Sequence, residues 1–158
     1  MSELRIEPAA LEDLPLMAEL LADLFARGSD FRPDQAKQLR GLRLILEQPN
    51  RGRIFVLRNS DRIIAMVNLL FTISTAEGGF VIILEDFVVH ADHRGQGYGS
   101  KLLQYVIDFA QKKQFLRISL IADRVEQRVP AFWRKHGFVE SEMITMRLRF
   151  DVPAGDAP

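Results

Sequence analysis

The chain of 158 residues has 47% apolar and 27% charged side chains, which predicts one globular domain over residues 1–151 with a sizeable core. Its 21 basic and 21 acidic residues balance, so bulk charge gives no basis for binding nucleic acid or an anionic membrane. The lack of cysteine excludes disulfides, thiolate metal sites and cysteine nucleophiles, and it fits a cytoplasmic location.

Helical and alternating patterns of apolar residues divide the chain into helices and strands. Asp13 is placed to cap the first helix, Pro49 to stop the second, and Asn59-Ser60-Asp61 to form a hairpin turn. In chain order we expect a strand at residues 4–7, helices at 14–25 and 33–48, strands at 53–58, 63–72 and 80–89, a helix at 102–113, a strand at 116–122, a helix at 130–136 and a strand at 144–150. This order predicts a mixed α/β fold, and the Pro- and Gly-containing residues 152–158 predict a frayed tail.

A glycine-rich turn joins the strand at 80–89 to the following helix, in the stretch VVHADHRGQGYGSKLL at residues 88–103. Glycines at such a junction let backbone N–H groups converge, and the first helical turn adds unpaired donors and a partial positive charge. These features predict an anion site, most naturally for phosphate. From the glycines alone, a turn that only redirects the chain is an equally open interpretation.

Two well-known phosphate-binding motifs do not match this turn. A P-loop needs glycine directly before lysine, whereas Ser100 separates Gly99 from Lys101, and no G-x-G-x-x-G register exists. Nucleotide hydrolysis and dinucleotide binding therefore lose support.

A wider pattern surrounds the turn. Arg94-x-x-Gly97-x-Gly99 follows Leu84-Glu85-Asp86-Phe87-Val88-Val89, and the block Ala131-Phe132-Trp133-Arg134-Lys135-His136-Gly137-Phe138 comes about forty residues later. Together these motifs resemble the GNAT superfamily of acyl-coenzyme A N-acyltransferases. The order of elements, with two helices between the first two strands, also fits. The resemblance implies a mixed, mostly antiparallel central sheet of about six to seven strands flanked by about four helices.

The resemblance assigns acetyl-CoA to the turn as cosubstrate. In the family, backbone amides of this turn wrap the pyrophosphate of coenzyme A, and the central strand splays from its neighbour to leave free backbone groups for the acyl carbonyl and the pantetheine arm. Several charge-assisted hydrogen bonds at once would anchor so charged a molecule. By position the cofactor-binding residues are Phe87, Val88, Val89, Arg94, Gly95, Gln96, Gly97, Tyr98, Gly99 and Ser100.

Glu85 is the predicted catalytic residue, drawing a proton from the substrate ammonium through water, and a rim carboxylate that only orients substrate is the alternative. Strand alternation is expected to send Glu85 and Asp86 to opposite faces, which argues against a paired-carboxylate hydrolase. Trp133 stands where many relatives have a tyrosine that protonates the departing thiolate, and an indole N–H is no practical acid. Glu126 or Gln127 occupies the region where relatives carry a cofactor-contacting asparagine.

Two classes of function remain open: an N-acetyltransferase that moves an acetyl group from acetyl-CoA to a primary amine in a ternary complex, and a coenzyme A-binding sensor without turnover. The acceptor is expected to be a small-molecule or peptide amine, with no nucleic acid or membrane partner, and a homodimer stays possible. Residues 27–32, the second helix and residues 75–79 are expected to border the acceptor site. His90 and His93 lack an evident third ligand, so no metal is expected.

Overall fold

The computed structural model describes residues 3–28, 30–123 and 130–150; Glu126, Gln127 and the predicted tail lie outside these ranges. The elements in chain order are β1 Leu4–Pro8, a 3-10 turn Leu11–Asp13, α1 Leu14–Arg27, α2 Gln35–Leu46, β2 Gly52–Asn59, β3 Arg62–Ser74, β4 Gly79–Val89, a 3-10 turn Ala91–His93, α3 Tyr98–Lys112, β5 Ile118–Leu120 and α4 Ala131–Lys135. Within these ranges no helix is long and apolar enough to cross a membrane.

One sheet with strand order β1-β2-β3-β4-β5 organises the fold. Its first four strands pair antiparallel, and β5 pairs parallel to β4, so the predicted mixed, mostly antiparallel sheet is confirmed. One face of the sheet packs on α3, whose Leu102, Leu103 and Val106 are fully buried, and the other packs on α1 and α2. Because β3 and β4 are covered on both faces, they carry near-continuous apolar runs.

The sheet has five strands in the described part of the chain, fewer than the six to seven expected. The predicted strand at 116–122 shortens to Ile118–Leu120, and the predicted strand at 144–150 is wrong. Its alternating apolar side chains are 78–87% exposed, and no described ladder includes it. Alternation defines a face, but a strand also needs a backbone partner. Instead, Arg147 pairs with Asp30 at 3.0 Å and lies 5.1 Å from the ring centre of Phe31.

Asp13 ties three elements together rather than capping α1 as predicted, since its side chain makes no capping hydrogen bond there. Its carboxylate accepts from the Ala10 amide at 2.8 Å and from both terminal nitrogens of Arg58 at 2.7 and 2.6 Å. Arg58 Nε also donates to Glu7 at 2.6 Å. The hydrogen bonds from Arg58 lower the pKa of Asp13. This cluster fixes β1 and the start of α1 to β2.

Arg58→Lys should lower the free energy of unfolding by about 1–2 kcal/mol, because lysine keeps the charge but cannot donate two parallel bonds to Asp13. Urea denaturation monitored by circular dichroism measures this change. Glu7→Gln is the matched control: the Glu7 side chain is more exposed, so its loss should cost less than about 1 kcal/mol. Equal losses of unfolding free energy in the two variants would contradict a stabilising role for the paired hydrogen bonds between Arg58 and Asp13.

Candidate active site

The glycine-rich turn lies between the end of β4 and the start of α3, as the sequence predicts. Gly95 and Gly97 have φ values of 76° and 86°, in the left-handed region that glycine adopts without strain, and Gly97 is the N-cap of the 15-residue helix α3. No hydrogen bond within the described chain uses the backbone amides of residues 95–100 as donors. The turn therefore presents a cluster of available N–H groups at the positive end of a helix.

Side chains fix this turn to its surroundings. Arg94 Nε donates to the Val89 carbonyl at 3.0 Å, and its guanidinium also pairs with Asp23 on α1. Ser100 Oγ lies 3.0 Å from His136 Nε2. A Cβ on Gly99 would lie 3.6 Å from the Phe132 ring, an ordinary packing distance. The turn is held by β4, α1 and the α4 region while its amides stay available.

The edge of β4 opens beside this turn. Parallel pairing with β5 runs only from Ile82 to Leu84, so residues 85–89 have no described strand on that side. Phe87 and Val89 pack toward the core cluster on the α3 face, whereas Val88 is buried among the residues of α1 and α2. Apart from the Val89 carbonyl, which accepts from Arg94, the backbone of β4 after Leu84 has no described strand partner on the β5 side, next to the glycine turn.

A cavity of about 960 Å³ lies along this open edge. Glu85, Asp86 and Phe87 line it from β4, and Trp133 lines it from α4. The Trp133 ring packs 5.4 Å from the ring of Phe87 and 5.1 Å from that of Phe132. The loop before α2, the first turn of α2 and the C-terminal segment also line this cavity, and residues 75–79 do not. The border predicted for the acceptor site at residues 27–32 and the second helix stays a prediction.

Glu85 and Asp86 do not face opposite sides of the sheet as alternation predicts. The β3–β4 register shifts between Met66 and Asn68, and Asp86 has φ 52°, so a bulge interrupts the alternation. Glu85 is exposed, Asp86 is partly buried, and both line the cavity. The bulge therefore brings two carboxylates to one wall.

Asn68 on β3 contacts Asp86. Asn68 is not predicted from the sequence, whereas Asp86 is considered there beside Glu85, and Glu85 is preferred. Asn68 is only 3% exposed, and its Nδ2 donates to Asp86 Oδ2. Its Oδ1 is buried without a hydrogen-bond partner in the described chain. The sequence does carry a signal for Asn68: it is the single polar residue in the apolar run IIAMVNLL of β3, and a buried polar side chain needs a hydrogen-bond partner.

Burial, and to a smaller extent the neighbouring negative charge of Glu85, raise the pKa of Asp86 to about 6. The hydrogen bond from Asn68 acts in the opposite direction and lowers the pKa. A carboxyl group that titrates near neutral pH can both accept and release a proton under ordinary conditions. The bulge thus holds a group suited to proton transfer.

His90 and His93 lie away from these carboxylates, in the wall of a separate cavity of about 580 Å³ next to α1. The rings of the two histidines are 5.7 Å apart. Among the residues that the structure describes, no group of three or more His, Asp or Glu side chains is arranged to hold a metal ion.

The turn, the open edge of β4 and the carboxylates of the cavity all lie within a part of the chain that a known family model matches. The family model for the acetyltransferase (GNAT) family matches residues 15–138, which is most of the chain. The chain belongs to the GNAT acetyltransferase family. The resemblance read from its motifs is therefore confirmed, and GNAT membership implies acyltransferase activity in general terms. No curated protein sequence matches the chain significantly.

Solved GNAT-like structures share this fold at low sequence identity. A possible acetyltransferase from Clostridium difficile 630 is 16% identical, with a TM-score of 0.84 over 94% of this chain and 99% of that one. A predicted acetyltransferase with acetyl-CoA from Clostridium acetobutylicum is 18% identical, with a TM-score of 0.75 over 92% and 96%. Glucosamine-6-phosphate N-acetyltransferase from Arabidopsis thaliana is 23% identical, with a TM-score of 0.72 over 94% and 99%. These similarities establish the fold.

Proposed function

We propose that this GNAT protein is an acetyl-CoA-dependent N-acetyltransferase that acts on a primary amine. The observation that carries the proposal is the row of backbone amides at residues 95–100 without acceptors, placed beside the open edge of β4. A Cβ at Gly95 or Gly97 would meet no atom within 4 Å, so an anion can approach the backbone there. These features fit the pyrophosphate of coenzyme A.

The chain's residues have distinct parts in this proposal. The amides from Arg94 to Ser100 hold pyrophosphate. The β4 backbone at residues 87–89, where the Val89 carbonyl also accepts from Arg94, pairs with the pantetheine arm and the acyl carbonyl. When bound, acetyl-CoA supplies an acetyl group as a thioester that an amine can attack. A carboxylate at the β4 bulge must first remove a proton, because an amine with a pKa near 10 is mostly an ammonium ion at neutral pH. The sequence prediction gives this task to Glu85, whose side chain lines the cavity.

The same cavity supports an amine as acceptor. Its β4 wall carries the adjacent carboxylates of Glu85 and Asp86, which attract an ammonium group, and Trp133 and Phe87 form an apolar wall beside them. The size of the cavity, about 960 Å³, accommodates a small molecule or the end of a peptide. The cytoplasmic location stays a prediction from the sequence, which leaves the oligomeric state open.

A coenzyme A-binding sensor without turnover is the second candidate, favoured by Trp133. This residue occupies the position of the usual tyrosine acid, and indole has no proton to give at neutral pH. In the transferase proposal, solvent protonates the departing thiolate at the open cavity instead. The two candidates share coenzyme A binding and differ in thioester consumption.

Calorimetry with coenzyme A and a thiol-release assay with acetyl-CoA test these candidates together. The amine panel should contain amino acids, polyamines, amino sugars and peptides. We expect calorimetry to detect binding of coenzyme A. We also expect thiol release with at least one amine to be much faster than acetyl-CoA hydrolysis without an amine. Mass spectrometry should find the product 42 Da heavier, as expected for acetyl replacing hydrogen. Binding without amine-dependent thiol release would support the sensor, and an absence of binding would contradict both candidates.

A further inference from the structure

Asn68 is a buried polar residue, and only one of its two side-chain polar groups has a hydrogen-bond partner in the described chain. It lies opposite Glu85 in the β3–β4 register, within a strand whose neighbouring side chains are apolar and fully buried. Nδ2 donates to Asp86, while Oδ1 has no partner among the described residues. A buried carbonyl oxygen without a partner is unfavourable, so packing alone does not explain an asparagine here.

We propose that Asp86, positioned by Asn68, is the group that takes the proton from the acceptor amine, and that Glu85 acts on Asp86 through its charge. This inference rests on the proposed transferase function and specifies the base within it. The geometry supports Asp86 because this residue lines the cavity at the bulge, and the bond from Asn68 fixes its carboxylate. Glu85 is more exposed and has no hydrogen bond within the described chain that would fix its carboxylate.

The chemistry of Asn68 suits both protonation states of Asp86. Its amide N–H donates to the carboxylate, and after a half-turn of the amide its unpartnered Oδ1 can accept the O–H of the protonated acid. An asparagine therefore supports the group before and after it takes a proton. Leucine at the same position would fill similar space and support neither state.

The proton step balances without any further reactant. The ammonium proton moves to Asp86 and leaves the electron pair on nitrogen. That pair forms the bond to the acetyl carbon, and the carbon–sulfur bond breaks with its electrons on sulfur. The nitrogen then loses its second proton to solvent to give the neutral amide, and solvent protonates the thiolate. Asp86 then releases its proton to solvent through the open cavity.

Other charged groups share the cavity with Asp86. Arg147 and Asp30 pair with each other at 3.0 Å. The remaining charged lining residues are Arg32 and Asp34 from the loop, Lys37 from α2, Asp123 after β5 and Arg149 from the C-terminal segment. None of these charges contributes to the raised pKa of Asp86, whereas the charge of the adjacent Glu85 does. Glu85 is therefore the charge to vary in a test of this carboxyl group.

The test compares Asp86→Asn, Glu85→Gln and Asn68→Leu by the pH dependence of kcat/KM, using the full chain and the amine that the wild type acetylates fastest. The rising limb of this profile reports the base of the free enzyme, and in the wild type it should lie near pH 6. Asp86→Asn should lower kcat/KM by about 100-fold and abolish the limb. Asn68→Leu should move the limb to higher pH, because the carboxylate loses a donor. Glu85→Gln should move it to lower pH, because a like charge is removed.

Asn68→Leu and Glu85→Gln are expected to move the rising limb in opposite directions. General damage to the fold would lower kcat/KM in both variants without these opposite shifts in pH. Glu85→Gln alters an exposed side chain, so the test holds even if Asn68→Leu fails to fold. The inference would be overturned if Asp86→Asn keeps the wild-type kcat/KM and its rising limb while Glu85→Gln loses both. The proposed transferase function would still stand in that case, with Glu85 as the base. A wild type that binds coenzyme A and acetylates no amine would overturn the proposed function, and this inference with it.

Discussion

Gly97→Asp should weaken coenzyme A binding by at least 100-fold, equivalent to about 2.7 kcal/mol. Gly97 is the N-cap of α3, beside the available amides, and a Cβ there would meet no atom within 4 Å. A carboxylate would compete for those N–H groups and repel the pyrophosphate. Isothermal titration calorimetry with coenzyme A measures the loss.

Gly97→Asn is the matched control for this variant. Asparagine and aspartate have nearly the same shape, and both tolerate the left-handed backbone better than other side chains, which φ 86° requires here. The two variants therefore differ mainly in charge. We expect Gly97→Asn to lose no more than about 10-fold in affinity, with thermal unfolding of the two variants at similar temperatures. Equal losses would show that the turn needs glycine for its backbone alone and does not bind an anion.

The glycine turn and its flanking elements are predictable because they rest on local chemistry. Strand β4, the turn and α3 follow from the spacing of apolar residues and from glycines at a strand-to-helix junction. The residues involved are neighbours in the chain, so no knowledge of the tertiary structure is required. The motif resemblance, which the family match confirms, extended this local result to most of the fold.

The errors come from interactions between distant residues. Residues 144–150 alternate like a strand, yet the sequence does not reveal whether a sheet edge is available to pair with them. Asp13 has the composition of a helix cap, but Arg58, 45 residues away, offers two stronger hydrogen bonds. In both cases tertiary partners override a correct local pattern.

The carboxylate pair depends on a single backbone irregularity. Perfect alternation would place Glu85 and Asp86 on opposite faces, and the bulge between Met66 and Asn68 in the register places them together. Nothing in the local sequence requires Asp86 to take φ 52°. A non-glycine residue held in this region is strained, and such strain is often found at functional sites.

Asp86→Asn should raise the free energy of unfolding by about 3 kcal/mol at neutral pH while it lowers activity. The pKa of Asp86 is about 6 in the folded protein and 3.8 without the effects of its surroundings. The folded state therefore binds this proton more tightly than the unfolded state, and ionisation of Asp86 destabilises the fold as pH rises from about 4 to 6. Asparagine keeps the acceptor for Asn68 and carries no charge, so it avoids this loss.

Chemical denaturation of wild type and Asp86→Asn from pH 4 to pH 8, without coenzyme A, measures the effect. The stability difference should be smallest at pH 4, where Asp86 is largely neutral in the folded state and about half ionised in the unfolded state, and should reach its full value above pH 7. Glu85→Gln is the control: it should stabilise in the same direction by a smaller amount, because burial raises the pKa of Asp86 more than the charge of Glu85 does. If the difference in unfolding free energy between wild type and Asp86→Asn does not change with pH, the pKa of Asp86 is the same in the folded and unfolded states. The fold would then not destabilise the Asp86 carboxylate.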